Sequence, residues 1–263
     1  MLLLKLTLVA ASVLLASVAA RRFGHAVGGT IAGMPMIAGP IIGFVLWQES
    51  PGRTREIALA MLVCLPAAMA HMAAFAWSAT RWRWPLALLN ANLAFLAVGA
   101  LLSLLRLPVP AVLLLALAAP TLAVLSLPRL HVPAAAVDIP RIELACRVAV
   151  AGLMAWALVR GAGELPVLLS GLLLALPIAG NVLPCFTLPR HGAAATVALI
   201  AGFMRGVHGF AVFFIALYAG LGWWPREWAY AAAWLAALVA ALAVHTAAQH
   251  ARRRQSTGLT SSA

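Results

Sequence analysis

The sequence predicts an all-α polytopic membrane protein of about nine transmembrane helices, arranged as an inverted-topology repeat of four helices, one linking helix and four more. Three observations predict this. Of 263 residues, 65% are hydrophobic and only 9% charged, with a mean hydropathy of +1.03. Soluble domains carry about 25% charged residues, so lipid must be the solvent for most of this surface. The apolar runs fall into lengths near the about 17–25 residues that span a bilayer core. A gap-free shift of 142 then lays the first four runs onto the last four.

The segments can be taken in order. Residues 2–20 resemble a secretory signal in Lys5, the apolar stretch and the small-residue end. Arg21 and Arg22 oppose translocation there, and the run has a partner in the second half, so it reads as a first transmembrane helix. Segment 26–47 is apolar but interrupted by Gly and Pro. Segment 57–79 is aliphatic with His71 at its middle. Segments 85–105, 110–127 and 166–188 start near Pro85, Pro110 and Pro166, where a missing donor costs least. Segments 142–160, 194–221 and 227–248 complete the set, and residues 251–263 form a short polar tail. Residues 1–250 thus read as one membrane domain: repeat 1 over about 1–106, a linking helix at 110–127, repeat 2 over about 142–248.

Under the shift, Pro35 falls on Pro177, Gly29 on Gly171, Phe44 on Phe186, Thr54 on Thr196 and Trp82 on Trp224. Only 110–127 lacks a partner. Five crossings therefore separate the starts of the two repeats, and an odd number inverts the second, as in many secondary transporters. Basic residues set the orientation, because they accumulate in cytoplasmic loops. With the amino terminus outside and the carboxyl terminus inside, the inner loops hold ten (Arg21, Arg22, Arg81, Arg83, Arg129, Arg141, Arg190, Arg252, Arg253, Arg254) and the outer ones six (Lys5, Arg53, Arg55, Arg106, Arg160, Arg226).

Charge also narrows the chemistry. The net charge of +12 is scattered through short loops and makes no stripe, so no nucleic acid is expected. Cys64, Cys146 and Cys185 are dispersed in apolar stretches, which predicts packing residues and neither disulfides nor a metal. All six acids (Glu49, Glu56, Asp138, Glu143, Glu164, Glu227) lie at or near segment ends, which removes the usual intramembrane carboxylate of proton-coupled pumps. No P-loop, G-x-S-x-G elbow or zinc spacing occurs, so no enzyme, catalytic residue or cofactor is expected.

The candidate substrate pathway is carried by the two broken segments. Pro35 and Pro40 in the first, and Pro177 and Pro184 in the second, each remove a helical donor and free a carbonyl four residues upstream. Such groups must be buried in protein or line a cavity. Gly39 and Asn181 occupy matching positions beside them. Arg205 stands out among the bases, deep in segment 194–221, with His208 three residues on and therefore on the same helical face. Gly202, Gly206 and Gly209 would let another backbone approach closely. His71 reads as a satisfied packing residue, and Asn90 and Asn92 as cross-helix hydrogen-bonding groups. Trp47, Trp77, Trp82, Trp84, Trp223, Trp224 and Trp228 read as interfacial anchors. Two polar loops, QESPGRTRE and LPRHGAAATV, follow the broken segments at equivalent positions and read as gates.

At AGMPMIAGP…WQESPGRTRE the chain resembles the small GlpM-like integral membrane proteins, over about 26–79 and again over 168–221. The resemblance implies a polytopic inner-membrane protein built from two copies of a four-helix unit, and carries no activity with it. The second copy has Asn181 and Val182 where the first has Gly39 and Pro40. The functional expectation is a secondary-transporter-like permease of a bacterial inner membrane, handling a small anionic or amphipathic solute or a lipid headgroup. The alternative is a non-transporting accessory or scaffold of an envelope pathway. Expected partners are membrane lipids and an anionic small molecule; an oligomer is compatible with either reading.

Overall fold

The structure, a computed structural model, describes residues 2–130, 139–162 and 176–260. Among these there is no strand. The elements are α1 (Leu2–Phe23), α2 (His25–Gly33), α3 (Ala38–Gln48), α4 (Pro51–Ala79), α5 (Trp84–Leu105), α6 (Val109–Ser126), α7 (Arg141–Ala162), α8 (Ile178–Gly220) and α9 (Arg226–Thr260). Six stretches of the described residues are long and apolar enough to cross a membrane: His25–Gln48, Pro51–Ala79, Trp84–Leu105, Val109–Ser126, Ile178–Gly220 and Arg226–Val244. The chain is therefore a multi-pass helical membrane protein. The first half of the expected segment 166–188, with Gly171, lies outside the described residues.

The helix ends follow local chemistry. Ser50 is extended and its Oγ accepts from the Arg53 N–H at 3.2 Å, with Pro51 at the first helical position of α4. Pro85 and Pro110 sit equally early in α5 and α6. The expected break in segment 26–47 is present. α2 stops where Met34 turns extended (φ −72, ψ 161), and α3 restarts at Ala38, beyond Pro35. α3 has 11 residues, about 16 Å, or half of the about 30 Å core.

One expectation needs correction. The stretch LPRHGAAATV is no loop: α8 runs 43 residues with one non-helical residue, Gly192 (φ 76, ψ −178). That conformation is open to glycine alone, so the chain changes direction within a single residue. It divides α8 into a first arm, 178–191, and a second, 193–220. The polar stretch from 251 also continues α9 as helix to Thr260.

Two local features recur at the spacing of 142. Thr54 Oγ1 donates to the Ser50 carbonyl at 3.1 Å and Thr196 Oγ1 to the Gly192 carbonyl at 2.9 Å, the four residues being related by the shift of 142. α5 begins at Trp84 and α9 at Arg226, the same distance apart.

Glycine decides the central contact. α2 lies along the second arm of α8 with Gly29 and Gly33 against the Leu199 and Phe203 carbonyls, and Gly202 and Gly206 against those of Ala26 and Thr30. A Cβ at any of these four would overlap a backbone oxygen of the facing helix. In lipid, where apolar burial gives helices little reason to associate, such close backbone contact is what holds them. α1 packs on α2 and α7, α4 on α5 and α6, and α9 on the second arm. The tryptophans at helix ends stand exposed, as anchors at an interface require.

Candidate functional site

A cavity of about 430 Å³ lies where the α2–α3 break meets the start of α8. The α2–α3 break supplies Gly33, Met34 and Ile37, and the start of α8 supplies Leu176, Pro177 and Ile178. α4 closes one side with Cys64 and Ala68, and the second arm closes the other with Phe203 and Val207. The volume is that of a small-molecule site. Among the described residues no charged side chain lines it, and the lining is mostly apolar, which suits a guest with an apolar part.

Both breaks are held in the same way. Pro35 and Pro177 have no N–H to give, but each carbonyl accepts from the residue four on: Gly39 N–H at 2.7 Å and Asn181 N–H at 2.9 Å. Asn181 adds its side chain, Nδ2 donating to the same Pro177 carbonyl at 2.9 Å. Its Oδ1 is buried and meets no donor among the described residues. Gly39 is covered by the Trp234 indole, and its carbonyl accepts from the Tyr230 hydroxyl at 3.1 Å. Pro40 lies in the first turn of α3, and Pro184 is buried within the first arm of α8.

Arg205 and His208 are elsewhere. The second arm faces the cavity with Phe203, Val207, Phe210 and Phe214. At 100° per residue, position 205 lies about 200° round from both 203 and 207, on the far side. His208 Nε2 is 2.9 Å from Thr121 Oγ1 of α6, and its Nδ1 is 3.1 Å from the Met204 carbonyl. The ring thus donates through Nδ1 and accepts from the threonine. His208 thus belongs to the seam with α6. Of the eight predicted pathway residues, Pro177 lines the cavity directly, and Pro35, Gly39, Pro40 and Asn181 shape its two breaks.

A second site went unseen in the sequence. Glu143 Oε1 accepts from Nε and Nη2 of Arg147 at 3.0 and 2.6 Å, and Oε2 from Arg190 Nη1 at 2.8 Å. Arg147 is 1% exposed and Glu143 8%. The Arg147 guanidinium also lies over the Phe186 ring, 5.7 Å from its centroid. Beside them the His25 and His191 rings meet at a 58° tilt with centroids 4.8 Å apart. The signal was available: Glu143 and Arg147 are four apart, the spacing that places two side chains together on a helix. Arg147 is eight residues, about 12 Å, from Ala155 at the cavity wall. The buried ion pair thus lies about two turns along α7 from the cavity wall, with Arg190 at its half-exposed edge.

No family model matches the chain, and neither a curated protein nor a solved structure matches it.

Proposed function

We propose that the chain is a secondary-transporter-like permease of a bacterial inner membrane, with its amino terminus outside and its carboxyl terminus in the cytoplasm, and that it handles a small amphipathic solute. One observation carries this: the α2–α3 break and the start of α8, matched under the shift of 142, line one cavity of about 430 Å³. Paired discontinuous helices at the bilayer midplane are where transporters with inverted repeats keep their substrates. The repeat itself is supported by three correspondences under the shift of 142: Pro35 with Pro177, Ser50 with Gly192, and Trp84 with Arg226. The apolar lining favours the amphipathic branch of the expectation over a free inorganic anion, which would lose its hydration there without compensation. The GlpM-like resemblance still rests on the Gly/Pro pattern alone.

The same lining gives the accessory reading its one support, since a mostly apolar cleft also suits a scaffold. Reconstitution separates the two. Vesicles containing the protein should move a fluorescent single-chain amphiphile between leaflets faster than empty vesicles, and Ala68→Trp, which fills the cavity, should return the rate to background. Equal rates with and without protein, across anionic and zwitterionic headgroups, would leave the scaffold reading standing.

A further inference from the structure

The Glu143 cluster holds more donors than its carboxylate can use. Oε1 takes Nε and Nη2 of Arg147, and Oε2 takes Nη1 of Arg190. Both guanidiniums have further N–H groups, and one positive charge of the three side chains is left over. The surplus is reachable, because Arg190 is 43% exposed while Arg147 is held inside.

The histidines beside the cluster stand at two sharp turns. His25 follows Gly24 (φ 89) and opens α2, and His191 precedes Gly192 (φ 76) and closes the first arm of α8. A Cβ at either glycine would meet nothing within 4 Å, so both turns border open space. His25 itself is 8% exposed, and its Nδ1 is buried with no hydrogen-bond partner among the described residues. Its ring meets that of His191 and lies within electrostatic reach of Arg147 and Glu143. A buried ring nitrogen left unpaired beside guanidiniums lacks one thing, an anionic acceptor.

Helix ends add charge of the same sign. Gly29 lies against Leu199 and Gly33 against Phe203, so α2 and the second arm of α8 run parallel and begin on the same side. α2 starts there without a side-chain cap, and uncapped amino-terminal N–H groups favour an anion. Arg21, Arg22 and Arg141, all exposed, flank these ends in sequence. A metal is disfavoured by the guanidiniums, and no metal-ligating trio forms among the described residues.

We propose that Arg147, Arg190 and His25 bind a phosphate group where the start of α2, the first turns of α7 and the Gly192 turn meet. Glu143 is the positioning residue: it fixes Arg147 in the interior and Arg190 at the edge where a ligand enters. Phosphate suits the donors because planar guanidinium forks pair with its oxygens bidentately. Its source is an anionic lipid headgroup, taken up by a basic pocket between helix ends, or a soluble phosphate. The site lies apart from the cavity and does not rest on the transport reading.

The test is thermal unfolding of the delipidated protein in neutral detergent. Inorganic phosphate and a short-chain phosphatidylglycerol are the probes, and a short-chain phosphatidylcholine is the control. One or both probes should stabilise the protein saturably, and phosphatidylcholine should not. Stabilisation by inorganic phosphate identifies a soluble ligand; stabilisation by phosphatidylglycerol alone identifies a headgroup. Arg190→Gln should weaken binding about tenfold or more, and His25→Ala several-fold, as losses of one charge-assisted and one ordinary hydrogen bond. Arg190→Lys should recover part of the affinity, since an ammonium keeps the charge and loses the fork. Arg53→Gln removes the same charge from an exposed pair on α4 and should leave binding unchanged. If Arg190→Gln does not fold, His25→Ala supplies the same comparison. The site is overturned if neither probe stabilises the native protein, if phosphatidylcholine stabilises it equally, or if binding is indifferent to Arg190 and His25. Failure of amphiphile transport would leave this binding untouched, so the two readings fail separately.

Discussion

Pro35 and Pro177, 142 residues apart, accept the same hydrogen bond at the same kind of break, from Gly39 at 2.7 Å and from Asn181 at 2.9 Å. The shared bond opens the helix that follows each proline, α3 at Ala38 and α8 at Ile178, and both of those residues line the cavity. What differs is the residue that donates. Glycine leaves room for the Trp234 indole; asparagine adds a second bond and an unused oxygen. One break is thereby covered by an aromatic ring, and the other keeps a buried amide oxygen that meets no donor among the described residues.

The glycine contact between α2 and the second arm makes the first prediction. Gly29→Ala, Gly33→Ala, Gly202→Ala and Gly206→Ala each force a methyl group into a facing carbonyl, so each should cost about 1–3 kcal/mol. Gly152→Ala, with nothing within 4 Å of the new Cβ, should be neutral or slightly stabilising. Thermal unfolding in detergent reads both, and equal effects at Gly206 and Gly152 would contradict the packing.

A second concerns Gly192. At φ 76 and ψ −178 a side chain is strained by about 1–3 kcal/mol, so Gly192→Ala should destabilise even though the space around it is open. The same thermal measurement, with Gly152→Ala as reference, decides whether backbone conformation matters there.

The buried ion pair makes the third. Glu143→Gln leaves Arg147 charged and poorly compensated in a dry interior, and should cost about 3–5 kcal/mol. Arg53→Gln removes one partner of a pair whose side chains are 63% and 70% exposed, and should change stability by less than about 0.5 kcal/mol. Chemical denaturation that ranks the two the other way would show that the Glu143 cluster is wet.

Much of this was legible in the sequence, and what was missed has physical reasons. Composition and run length identify a multi-pass helical membrane protein because lipid tolerates little else. Pro35 and Pro177 could be found because proline cannot continue a hydrogen-bond ladder silently. The direction of Arg205 and His208 could not, because periodicity says which residues share a face and not which neighbour that face meets. Thr121 supplies that neighbour from a helix with no partner in the repeat. LPRHGAAATV read as a loop because Gly, Pro and charge usually mark one; a single glycine conformation does the work instead. Glu143 was passed over because its place near a segment end suggested solvent, whereas Arg147 one turn on holds it inside.

The central claim is that the cavity between the two broken segments is a pathway, and Cys64 on its wall tests it most directly. In a Cys146→Ser/Cys185→Ser background, a membrane-impermeant thiol reagent should reach Cys64 from outside in right-side-out vesicles and from inside in inverted ones. Prior incubation with an amphiphile that occupies the cavity should slow both reactions. Labelling from one side only, or from neither, would contradict the account, because a pathway must open to each face in turn.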